Sequence, residues 1–138
     1  MITLMPDHVI LVIMDNERFD KSMKKFLEIN GDAGKNVFKR LNAIAPSMAR
    51  QMVASFGETG TPQPIGNRER EIAVISALTT LGYALPQLRV HINAGLNVGL
   101  EKDEIIAIIS TMTGYAGFPA TLNALFTAQE VFTERGLV

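Results

Sequence analysis

The segment that most constrains this chain is "LPQLRVHINAGLNVG", residues 85–99. Wound into a helix, it places Leu85, Leu88, Ile92, Leu96 and Gly99 on one apolar arc and Val90, Ala94 and Val98 on a second. Arg89, Asn93 and Asn97 leave only a polar strip between the two arcs. A helix with one apolar stripe can lie on the surface of a domain, whereas two stripes require two packing partners. In a domain of this size one of those partners is expected to be another subunit, so the pattern predicts an obligate homo-oligomer. Pro86 suits the first turn of this helix, and Gly99 suits its left-handed cap.

Helical punctuation recurs along the chain. Residues 15–30 carry Phe19, Met23, Phe26 and Leu27 on one stripe with charge opposite, and "GDAG" (31–34) stops that helix. A second stretch, 36–58, must bend or split at Pro46, which has no N–H for the helical ladder. Residues 59–67, "TGTPQPIGN", read as a loop ending in an N-cap at Asn67. "REREIAVISALTTLGY" begins charged and turns apolar all round, the pattern of a helix buried on most sides. Residues 101–112 put acids in the first turn, where the helix dipole favours them. "GYAGFP" reads as a turn, and 119–135 as a last helix closed by Gly136. Period-two alternation is scarce, which predicts one all-α domain of six helices spanning 1–138. The only candidate strand is "HVILVIM" (8–14), within an apolar N-terminal arm (1–14) expected to lie against something, such as a neighbouring subunit.

Composition narrows the chemistry. The 138 residues are 47% apolar and 20% charged with a net charge of −1, a globular balance that gives no reason to expect a nucleic acid or an anionic membrane as partner. "VILVIM" is too short to span a bilayer, and no basic residue precedes it as in a signal peptide, so a cytoplasmic location is expected. Zero cysteines exclude disulfides, thiolate metal sites and thiol redox chemistry. Two histidines, His8 and His91, exclude a histidine-rich metal site within one subunit, and no run of acids has ligand spacing.

Within this frame His91 is the first candidate, either a general acid/base or a packed histidine bonded to a carbonyl. Gln87 and Gly95 flank it on the helix face, the first a polar contact and the second a source of space. Glu71 shares a face with Ile75, Leu78 and Gly82 and so points inward. It reads as a buried proton donor or base, as an i,i+3 ion pair with Arg68, or as both. Glu69 and Arg70 read as the solvated start of the helix. Arg89, on a mostly apolar helix, calls for a carboxylate partner in the protein or on a ligand. Tyr115 could bring a phenol to a pocket or simply pack in its turn.

The span 67–132 resembles the carboxymuconolactone decarboxylase family, in the superfamily that also holds the AhpD-like alkylhydroperoxidases. The features that carry the resemblance are "RERE", His91 with the "NAGLNVGLEKDEI" that follows it, and "YAGFPATLNAL". "EINGDAGKNVFKRLNAIAP" (28–46) resembles the family's N-terminal region more loosely. The resemblance implies a helical subunit assembled as a hexamer, a trimer of dimers, with sites near subunit interfaces. The superfamily's redox branch carries Cys-x-x-Cys four residues ahead of the motif histidine, where this chain has Ala84-Leu85-Pro86-Gln87. A thiol peroxidase is therefore disfavoured, and the cysteine-free decarboxylase branch is implied. That branch removes CO₂ from a small carboxylated lactone in aromatic catabolism without a cofactor. The roles implied are His91 and Glu71 as acid/base, Arg89 on a carboxylate, and Gln87, Tyr115 and Arg68 as further substrate contacts. A catalytically silent binding or assembly protein on the same scaffold is the alternative.

Overall fold

The computed structural model describes the backbone of residues 7–56 and 64–137 and the side chains of residues 15–56 and 64–137. Helix α1 (Asp7–Ile44) includes the backbone of residues 8–14, so the candidate strand is helical; residues 1–6 of the arm lie outside the described residues. The helix does not end at "GDAG". It breaks at Gly31 (φ 56°, ψ −145°), a conformation that costs glycine little, and resumes directly. Asn97 stabilises the break: its Nδ2 donates to the Ile29 carbonyl at 3.0 Å. A side chain at position 31 would press on that amide, since its Cβ would lie 3.1 Å from Nδ2.

Ala45 leaves the helical region (φ −147°), and Pro46 opens α2 (Pro46–Ala54), where its missing N–H costs no bond. Helix α3 (Asn67–Leu81) is capped by Gly66, one residue before the expected Asn67, and stops at Gly82 in the left-handed region (φ 74°). Helix α4 (Leu85–Asn97) closes as expected on Gly99 (φ 100°), with the Leu100 N–H donating to the Gly95 carbonyl at 2.9 Å. Helix α5 (Lys102–Thr111) starts with a reciprocal capping box between Glu101 and Glu104. "GYAGFP" is divided at Gly117 between a single helical turn, α6 (Thr113–Ala116), and the start of α7 (Phe118–Glu134), which ends on Gly136 (φ 68°). Among the described residues six helices exceed a single turn, as many as expected, but the first two divide at Ala45 instead of at 31–34, and no strand is present.

Two hydrophobic clusters meet on α4. Leu88 and Ile92, from its first arc, join Ile75 of α3, Ile105 and Ile109 of α5, and Ala124, Ala128 and Val131 of α7. Ala94 and Val98, from its second arc, pack with Phe26 and Ile29 of α1, with Val53 of α2 and with Phe56 two residues beyond α2. The second partner of α4 is therefore the chain's own N-terminal helices. Both arcs thus have partners within the chain, the kink at Gly31 and the break at Pro46 bringing α1 and α2 together against the second one. Gly95 makes the close approach of α4 to α3 possible, since a Cβ there would stand 3.0 Å from Leu100 Cδ1 and 3.2 Å from Ile75 Cδ1. Large apolar side chains remain exposed at the junction of α6 and α7 and at the end of α3, with Tyr115 at 81%, Tyr83 at 79% and Phe118 at 70%. No helix among the described residues is long and apolar enough to cross a membrane.

Candidate active site

Glu71, Ile75 and Thr79 recur every four residues along α3 and are all fully buried, so the helical period that sends isoleucine into the core sends a carboxylate there too. An ionised carboxylate in such a place needs partners for both oxygens. Glu71 Oε1 accepts a bond from Arg70 Nη1 at 2.6 Å, and Oε2 lies 2.7 Å from His91 Nδ1 on α4. His91 follows Glu71 by one helix connection and precedes Gly95 by one turn. The tight α3–α4 contact at Gly95 therefore sits one turn from the pair.

Arg70 is fixed on its other side by an aromatic face. Its guanidinium carbon stands 4.5 Å from the centre of the Phe56 ring, and Phe56 meets Phe26 edge to face at 5.1 Å. The site is thus a chain of contacts running from α1 and α2 through Phe56, Arg70 and Glu71 to His91. With Glu71 ionised, Nδ1 carries the proton and Nε2 is the nitrogen left for chemistry. Among the described residues nothing bonds Nε2, and the His91 side chain is 18% exposed, so a small molecule or water can reach the ring.

The remaining candidates fall in different places. Gln87 is exposed one turn before His91 on the same face of α4. Arg89, two residues before His91, points away from it and pairs with Glu130 of α7 at 3.1 Å and with Glu134. Arg68 does not pair with Glu71; it reaches α5 and pairs with Glu104. Tyr115 is largely exposed on α6. The structure therefore unites His91 and Glu71, leaves Gln87 beside them, and forms no hydrogen bond from Arg68, Arg89 or Tyr115 to either.

Arg70 is the residue that the sequence pattern concealed, because a charged first turn reads as solvated. The one available signal was Glu71 itself, since an inward-facing carboxylate requires more than one donor. Glu104 departs from ordinary acid behaviour. The Glu101 backbone N–H, 2.9 Å from Oε2, and the Arg68 guanidinium hold its carboxyl below the usual value, against a smaller opposing effect of burial.

Among the described residues no three histidine, aspartate or glutamate side chains come together as metal ligands. A groove of about 350 Å³ between α5 and α7, lined by Ile106, Leu125, Phe126 and Phe132, does not include the site. Neither does one of about 180 Å³ beside Phe19 and Arg50, between α1 and α2.

The described residues thus form an all-helical chain in which a buried carboxylate pairs with a histidine on the next helix. Residues 46–130 match the model of the carboxymuconolactone decarboxylase family, and the chain belongs to that family. It is 29% identical over 126 residues to the 4-carboxymuconolactone decarboxylase of Acinetobacter baylyi (strain ATCC 33305 / BD413 / ADP1), covering 89% of this chain and 92% of the relative. It is also 32% identical over 98 residues to an uncharacterized 15.0 kDa protein from the nqo9-nqo10 intergenic region of Paracoccus denitrificans, covering 70% of this chain and 73% of that one.

Proposed function

We propose that this protein is a cofactor-independent lyase that decarboxylates a small carboxylated lactone such as 4-carboxymuconolactone. The observation that carries this reading is the 2.7 Å contact between His91 Nδ1 and a Glu71 carboxylate that has no exposure to solvent. In the reaction the bond to the carboxylate carbon breaks, CO₂ leaves, and the electron pair enters the conjugated lactone. His91, protonated on both nitrogens, then delivers the Nε2 proton to carbon while Glu71 holds Nδ1–H and offsets the imidazolium charge. Solvent returns the proton to Nε2, so the net change is loss of CO₂ and gain of one proton.

Gln87 is the side chain placed to meet the lactone, being one turn from His91 on the same face. Arg89, already paired with two glutamates, is given no substrate role within one subunit, and Arg68 and Tyr115 are given none either. We place the protein in the cytoplasm as a homohexamer, a trimer of dimers. The exposed Tyr83, Tyr115 and Phe118 support assembly, and the resemblance to the family supports the number of subunits.

A catalytically silent binding or assembly protein is the second reading, favoured by the position of both grooves away from His91. One assay separates the two. Carboxymuconolactone is supplied to wild type and to His91→Ala, and loss of the conjugated acid and release of CO₂ are followed. The lyase predicts turnover by wild type and a loss of about 100-fold or more in the variant. Equal turnover by both proteins, or none by either, removes the mechanism.

A further inference from the structure

We propose that Arg70 is a positioning residue, seated on Phe56, that fixes which nitrogen of neutral His91 carries the proton and which is left bare to take one up from solvent between turnovers. The inference deepens the acid/base reading of the His91–Glu71 pair and rests on it. A fully buried carboxylate stays ionised only where cations or several donors face it. Glu71 has two partners, Arg70 at 2.6 Å and His91 at 2.7 Å, and Arg70 carries the permanent charge. While Arg70 holds Oε1, Glu71 is an acceptor, Nδ1–H donates to Oε2, and Nε2 faces outward with its lone pair.

Without Arg70 a single neutral imidazole would face a buried negative charge. The low-polarity surroundings then favour uptake of one proton to give a neutral carboxylic acid. Its O–H would donate to Nδ1, the proton of the neutral imidazole would sit on Nε2, and the outward nitrogen would lose its lone pair. The other charges that approach α4 do not interfere. Glu130 and Glu134 on α7 engage Arg89, and Arg135 reaches Asn93 and Asn97. The Phe56 ring at 4.5 Å holds the guanidinium over Glu71 from the α2 side, which ties the tautomer of His91 to the packing of the N-terminal helices.

The test is the ¹⁵N spectrum of the imidazole at a pH where His91 is neutral, recorded on protein carrying His8→Gln so that one histidine remains. Wild type should show Nδ1 protonated and Nε2 bare. In Arg70→Gln, checked as folded by circular dichroism, the two signals should exchange character, with Nδ1 becoming the bare acceptor. Arg70→Lys, which keeps the charge, should restore the wild-type pattern in full or in large part. Phe56→Leu, which keeps every charge and is the readout if Arg70→Gln does not fold, should move both signals part of the way.

Unchanged Nδ1 protonation in folded Arg70→Gln overturns the proposal, because a purely structural arginine would alter stability and not the tautomer. Unchanged spectra in Phe56→Leu overturn the seating by that ring. Turnover of carboxymuconolactone is measured separately. A wild type with no turnover but with the tautomer exchange intact removes the lyase reading and leaves the electrostatic role of Arg70 in place.

Discussion

The two sides of α4 carry similar chemistry with different consequences. On one side a carboxylate with no exposure to solvent joins an arginine and a histidine; on the other, Arg89 joins Glu130 and Glu134, whose side chains are 69% and 59% exposed. Water screens the outer pairs and competes for their partners, so each adds only a fraction of a kcal/mol. The inner pair has lost its water, and every missing partner is felt in full. Burial decides which of two similar clusters can hold a proton in one place.

The largest effect should come from breaking the inner pair. Glu71→Ala is expected to cost about 3 kcal/mol in urea unfolding, the low end of the range for a broken buried pair because Arg70 can turn toward solvent. A loss below about 1 kcal/mol would mean that the two sides of α4 are equivalent. Gly95→Val comes next. It should cost about 1–3 kcal/mol by overpacking against Leu100 and Ile75, and it should also weaken the His91–Glu71 contact one turn away by pushing α4 off α3. If it lowers stability and leaves the His91 ring spectrum unchanged, the close approach does not set the site.

The capping box of α5 offers a pH readout on the exposed side of the molecule. Its Glu104 carboxyl is held below the ordinary value of 4.5 by the Glu101 N–H and then by Arg68. A depressed folded value means that the stabilisation is complete above the unfolded value and is lost as pH falls through the folded one. Melting temperature should therefore decline below about pH 4.5 more steeply in wild type than in Glu104→Gln, and parallel curves would count against the box. The smallest effect is expected on the outer side of α4, where Glu134→Ala should change stability by less than about 1 kcal/mol, and by less still in high salt. A cost comparable to that of Glu71→Ala would erase the contrast between the two sides.

Much of the fold was legible because helix signals are local. Pro46, Gly99 and Gly136 mark helix ends through their own backbone chemistry, whatever surrounds them. The inward direction of Glu71 was legible for the same kind of reason, since it follows from a period of 3.6 residues. Gly31 marks a stop in the sequence pattern and a kink in the structure, because whether a helix resumes depends on a partner for the freed carbonyl. Here that partner is Asn97, which lies far away in the chain.

The sequence by itself thus determined that the chain is helical, that α4 has two apolar faces, that one acid turns inward and that no thiol chemistry is available. Only the tertiary structure decided what fills each face and who pairs with whom. It gave the second arc of α4 to α1 and α2, gave Glu71 to Arg70 and His91 instead of to Arg68, and gave Arg89 to α7. Helical periodicity fixes the direction of a side chain, but the identity of its partner depends on which helix is packed there and on the reach of a long arginine. Those are properties of the assembled chain.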